Sequence, residues 1–103
     1  MLNITKENFE AEVERCDSLV VLDLYADWCG PCKMLAPVLS ELEGEYPNVK
    51  FGKINVDEES ELASAFKVKS IPMVALVKDN TFIDFSVGYV PKQTLKALID
   101  EYV

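Results

Sequence analysis

Apolar positions in this chain come in two alternating forms, short continuous runs and longer stretches with helical spacing. The most apolar run, Leu19 to Ala26, is rich in Val and Leu and predicts a central strand covered on both faces. Residues 2–4 predict a short edge strand ahead of it. Between the two, Phe9, Val13 and Cys16 recur at i, i+4 and i+7. That spacing predicts an amphipathic helix over residues 6–16, with Thr5 as N-cap and Glu7 in the first turn. Cys16 then falls on the apolar face as a small buried hydrophobe, with a regulatory thiol as the alternative. From Lys33 onward, Leu35, Val38, Leu39, Leu42 and Tyr46 keep a helical period. It continues through Pro37, so a kink is expected there and an end at Tyr46-Pro47-Asn48.

Val49 to Val56 predicts the next strand, with Val49, Phe51 and Lys53 on one face. Asp57 reads as the N-cap of a helix that carries Leu62, Ala63 and Phe66 inward. Lys78-Asp79-Asn80-Thr81 is a tight-turn signal between two β-like runs, so residues 73–77 and 82–87 predict an antiparallel hairpin. Gly88 breaks the second strand, and Leu95, Leu98, Ile99 and Tyr102 mark a terminal helix. The order β-α-β-α-β-α-β-β-α predicts an α/β fold, a mixed sheet with helices on both faces. With no internal repeat, linker or low-complexity tract, the 103 residues read as one domain, 1–103.

Half of the residues are hydrophobic and 27% are charged, enough apolar material for one core in a soluble protein. No run approaches the roughly 18 residues of a membrane span, so no membrane association is expected. The first residues lack the basic and apolar regions of a signal peptide, which makes the cytoplasm the expected location. A net charge of −8, with Arg15 the only arginine, disfavours nucleic acid as a partner. Histidine is absent, which removes Cys-His and Ser-His pairs and the usual imidazole metal ligands. Three cysteines cannot all pair within the chain, so a close pair reads as catalytic or metal-binding. Zinc usually takes four ligands, and Cys16, Cys29 and Cys32 offer only three soft ones, so no metal is expected.

The chemistry concentrates in Trp28-Cys29-Gly30-Pro31-Cys32-Lys33, between the predicted central strand and the long helix. If the helix begins near Cys29, that sulfur lies beside unpaired N–H groups and the positive end of the macrodipole, which favours its thiolate. Cys32 lies one turn further in, partly covered by the helix. The asymmetry predicts that Cys29 attacks a disulfide and that Cys32 resolves the mixed disulfide. Gly30 would let a partner backbone approach, and Pro31 suits a first helical turn. Asp23, a carboxylate within an apolar strand, is expected to have a raised pKa and to take the Cys32 proton. The plainer alternative is a carboxylate that caps a strand edge. Lys53 would lie near Asp23 if the two strands pair in parallel; by itself it reads as a solvated surface lysine. Trp28 is either a core aromatic or part of a docking surface, and Ile71-Pro72 either a plain turn or a cis bond.

The segment from Asp23 through Lys33, together with Asn55-Val56-Asp57, Ile71-Pro72 and Gly88, resembles the thioredoxin family over essentially the whole chain. The resemblance implies a five-stranded mixed sheet flanked by four helices and a general protein-disulfide reductase. No cofactor is expected to be bound. Electrons would come from NADPH through a partner, thioredoxin reductase, and pass to disulfide-containing client proteins. It also implies a redox pair at Cys29 and Cys32, a buried acid at Asp23 with Lys53 nearby, and a cis-proline at Pro72 facing the dithiol. Trp28, Ile71 and Gly88 match positions along the substrate groove. A monomer is expected. Tyr25 stands where many members carry a second Trp, and Asp79-Asn80 where the turn is often Asn-Gly. An oxidase or isomerase is a rival, but its intervening dipeptide often contains His. A non-redox binding module is a third reading, which the intact Cys29, Cys32 and Asp23 disfavour.

Overall fold

The apolar run from Leu19 to Ala26 contains β2, Val20–Tyr25, the middle strand of a five-stranded sheet in a computed structural model that describes all residues, 1–103. Val20, Leu22 and Leu24 enter one core while Leu19 and Val21 enter the other, the alternation of a strand buried on both faces. The remaining strands are β1 (Leu2–Asn3), β3 (Lys50–Asn55), β4 (Met73–Lys78) and β5 (Thr81–Val87). Their order in the sheet is β1-β3-β2-β4-β5. The β1, β3 and β2 strands are parallel, and β4 and β5 each run antiparallel to their predecessor in the sheet.

Three α-helices and one π-helical turn cover this sheet. α1 (Gly30–Glu45) and α3 (Lys92–Asp100) lie on one face, where Leu35, Leu39, Leu42, Leu95 and Ile99 pack on Val21, Phe51, Val74 and Leu76. α2 (Ser60–Ala65) and the π turn Glu10–Glu14 cover the other, through Leu62, Phe66 and Val13. Pro37 lies inside α1 without ending it, on an exposed part of its surface. Gly52 is where β3 meets the segment after β1: a Cβ there would stand 2.7 Å from Ile4 Cγ1 and 3.2 Å from Leu22 Cδ2. The β4–β5 turn places both Asp79 and Asn80 at positive φ, the conformation of a two-residue hairpin turn.

Two local expectations are corrected. The helix expected over 6–16 is only the turn Glu10–Glu14, in which the Arg15 N–H reaches the Glu10 carbonyl at 3.0 Å. Asn8 accepts from the Thr5 N–H at 2.8 Å and donates to the Asn3 carbonyl at 2.9 Å. Residues 5–8 are therefore held as a turn, and Thr5 is capped instead of capping. The apolar spacing still serves packing, since Phe9, Val13 and Cys16 face the core. Asp57 is not the N-cap of α2: Asn55 Oδ1 accepts from the Asp57 and Glu58 N–H groups, at 2.9 and 3.3 Å, and holds them in a turn ahead of the helix. The helix starts later, after Glu59.

Candidate active site

Cys29 is the N-cap of α1, in an extended conformation that lets its sulfur turn back over the first helical turn. Its Sγ accepts the Cys32 N–H at 3.2 Å. The two cysteines are joined in a disulfide, with Cα atoms 5.2 Å apart. Gly30 and Pro31 form the exposed start of the helix, where a proline forfeits no hydrogen bond. The expected difference in exposure between the thiols is absent in this oxidised state: Cys29 and Cys32 are 4% and 3% exposed. Both cysteines belong to one small cluster with Ala26, against which Tyr25, Val56 and Ile71 pack. What differs is their surroundings. The Ile71 carbonyl oxygen lies 3.9 Å from Cys29 Sγ, whereas Cys32 lines a cleft on the other side.

That cleft, of about 240 Å³, is also lined by Asp23, Tyr25, Asp27 and Lys53. Asp23 is buried, and its Oδ1 has no hydrogen-bond partner. Burial pushes its pKa up from 3.8 to about 7, against the opposing pull of the Lys53 charge. Asp23 and Lys53 are register partners, so the parallel pairing on which their proximity depends is present. Lys53 Nζ also stands 5.8 Å from the centre of the Tyr25 ring.

Trp28 is exposed, and its indole N–H donates to Asp57 Oδ2 at 2.9 Å. Asn55 ties the two segments together, donating to Asp27 Oδ2 at 3.5 Å while its Oδ1 holds the turn at Asp57. Asn55 and Asp57 thus belong to the site as well, and the segment Asn55-Val56-Asp57 is their signal in the sequence. Ile71–Pro72 is a cis peptide bond, and the Pro72 carbonyl accepts the Gly88 N–H at 2.7 Å. Gly88 has φ +85, a conformation that suits glycine. The fold thus gathers Cys29 with Ile71, Pro72 with Gly88, and Cys32 with Asp23 and Lys53. Cys16 lies apart, half-buried, with its sulfur 3.2 Å from Ser18 Oγ. No three His, Cys, Asp or Glu side chains are gathered to hold a metal ion, and no helix is long and apolar enough to cross a membrane.

A family model described as Thioredoxin matches residues 1–101. The chain is 42% identical over 99 residues to the thioredoxin of Chlamydia pneumoniae, covering 96% of this chain and 95% of that one. It is 40% identical over 104 aligned positions to the thioredoxin of Bacillus subtilis (strain 168), covering 100% and 98%. The thioredoxin of Haemophilus influenzae gives the same identity, covering 100% of this chain and 97% of its own length.

Proposed function

The chain belongs to the thioredoxin family, protein-disulfide oxidoreductases that work by dithiol–disulfide exchange, and we propose that it is a general protein-disulfide reductase with the redox centre Cys29–Cys32. In the reduced protein the Cys29 thiolate attacks one sulfur of a client disulfide. The other client sulfur leaves as a thiolate, and a mixed disulfide forms. Asp23 takes the proton from Cys32, whose thiolate attacks Cys29 Sγ. This closes the Cys29–Cys32 bond and releases the second client thiolate. Two electrons have passed to the client, and the proton held by Asp23 returns to the released thiols through solvent. A pKa of about 7 leaves Asp23 able both to accept and to release that proton near neutrality.

One observation carries this division of labour: Asp23, buried with an unpartnered oxygen, lines the same cleft as Cys32 and not Cys29. Lys53 holds the Asp23 pKa within working range. Trp28, Gly30, Pro31, Ile71, Pro72 and Gly88 form the surface on which an extended client segment lies. The oxidised form is re-reduced by thioredoxin reductase at the expense of NADPH. In this reading the chain acts as a single domain and a monomer in the cytoplasm, where reduced client thiols persist.

With dithiothreitol as reductant, the protein should speed the reduction of insulin disulfides. A Cys29→Ser rate equal to that of the parent would end the catalytic reading. Cys32→Ser should trap clients as mixed disulfides through Cys29. Asp23→Asn should slow resolution more than initial attack, and equal slowing of both steps would remove its role as base.

A further inference from the structure

β5 is an outer strand of the sheet, and it is covered on one face only. On that face Ile83 packs against the core under α1 and α3, and the Tyr102 hydroxyl donates to Asp84 Oδ2 at 2.7 Å. On the opposite face Phe82, Phe85 and Val87 stand in a row beside Val77, Ala75 and Met73 of β4. All three are exposed, by 40%, 55% and 47%. Their β4 partners are buried beneath α2 and its neighbours, but α2 has only six residues and does not extend over the outer strand. Its cover ends at Phe66, whose ring meets that of Phe82 edge-on with centroids 5.2 Å apart. The strip left open forms one wall of a groove of about 400 Å³.

Two further features say what this groove fits. Lys67 and Lys69 line it, both are exposed, and neither takes part in any ion pair of the chain. On a chain with 18 acidic and 10 basic residues, an unpaired cationic rim around an apolar strip is complementary to an apolar group flanked by carboxylates. The groove also runs into the dithiol site. Ser70 and Val87 line its near end, next to Ile71–Pro72 and Gly88, which are tied together by the Gly88 N–H to Pro72 carbonyl bond. A second copy is the poorer occupant, because it would bring together two chains of net charge −8.

We propose that this groove is a client-selecting extension of the active site. An extended client segment places a large apolar side chain against Phe82 and Phe85, and a neighbouring carboxylate beside Lys67 and Lys69. From Val87 to Phe82 the strand covers about 17 Å, so the apolar residue lies roughly three to six residues from the half-cystine attacked by Cys29. The inference rests on the reductase reading and adds to it a preference among clients.

The test uses the full-length reduced protein and synthetic peptides whose single cysteine is a mixed disulfide with thionitrobenzoate. Attack of Cys29 on the peptide sulfur releases the coloured thionitrobenzoate anion, and Cys32 then closes the Cys29–Cys32 bond and frees the peptide thiol. One anion is thus counted per dithiol oxidised, and the second-order rate constant of this single turnover is taken as kcat/KM. One peptide pair carries Phe-Glu-Glu or Ser-Lys-Lys centred about five residues before the cysteine, and a second pair carries them after it. The Phe-Glu-Glu peptide of at least one pair should show kcat/KM about tenfold higher than its Ser-Lys-Lys counterpart. Phe85→Ser should abolish most of that preference, and the Lys67→Glu, Lys69→Glu double variant should reverse its charge component. All three positions are exposed, so the variants should keep their circular dichroism, and they should reduce bis(2-hydroxyethyl) disulfide, uncharged and too small to span the groove, at the parent rate. Equal kcat/KM within both pairs, or a preference that survives in the variants, overturns the groove while leaving the reductase reading intact. Failure to reduce any of these disulfides overturns the reductase reading itself. A concentration-dependent dimer in sedimentation velocity that Phe85→Ser disrupts would assign the face to a second copy and overturn the client proposal.

Discussion

Asp23 on β2 and Lys53 on β3 are direct register partners in a parallel pair, and both open into the cleft that Cys32 lines. Their opposition is electrostatic. Burial raises the pKa of the acid, and the lysine charge pulls it back. Lys53→Met should therefore leave the Asp23 pKa above about 7. The pH midpoint of mixed-disulfide resolution should move upward with it. Rapid-mixing kinetics across the neutral range would show this, and an unmoved midpoint would remove Lys53 from the site.

The same carboxylate sets a pH dependence of stability. In the unfolded chain Asp23 loses its proton around its ordinary 3.8, and in the oxidised fold around 7. Below the lower value both states are protonated and the group has no effect. Between the two, only the unfolded chain releases the proton, so stability falls as pH rises, and it levels off above about 7. Three pH units amount to ~4 kcal/mol. Urea unfolding of oxidised Asp23→Asn should show this decline removed, with a stability gain of up to ~4 kcal/mol at neutral pH. A variant no more stable than the parent at pH 7 would count against the buried, uncompensated charge.

Trp28 is the only tryptophan, so its fluorescence reports on one site. Asp57→Ala removes the acceptor of its indole N–H. The loss of one exposed charge-assisted bond, ~1 kcal/mol, should raise KM for insulin about fivefold with little change in kcat, and should lower the fluorescence anisotropy. Asn55→Ala should act in the same direction by releasing the turn that holds Asp57. Unchanged anisotropy in both variants would separate Trp28 from this support.

Gly52→Ala tests the close approach of β3 to Ile4. The added Cβ would meet a fully buried side chain at 2.7 Å, so overpacking should cost about 1–3 kcal/mol. An unshifted urea midpoint would show that Ile4 yields at no cost.

Cys29, Cys32 and Asp23 are legible in the chain because their signals are local: a spacing, and one acid in an apolar run. The succession of strands and helices along the chain follows from alternating runs and helical periods. The order of the strands in the sheet and the parallel register that brings Lys53 to Asp23 do not, because they are set by contacts between distant segments. The helix expected over 6–16 misleads because three apolar contacts at i, i+4 and i+7 can be made by a single wide turn once Asn8 has fixed residues 5–8. Asp57 misleads because Asn55, two residues earlier, folds residues 57 and 58 into a turn ahead of the helix, and the Asp57 carboxylate accepts from Trp28 instead. The groove on β5 was hidden for another reason. Regular alternation would put Phe82 and Phe85 on opposite faces; the break in the β4–β5 register beside Leu76 and Val77 puts them on one, and the short reach of α2 leaves them bare.

The cap of α1 is made by an atom that turnover changes. In the disulfide, Cys29 Sγ accepts the Cys32 N–H as a neutral sulfur. As a thiolate it would accept the same bond with a full negative charge, at the helix end that favours anions. The first turn of α1 should therefore tighten on reduction and loosen on oxidation. The redox state is thus written into the backbone order of the longest helix as well as into the two sulfurs.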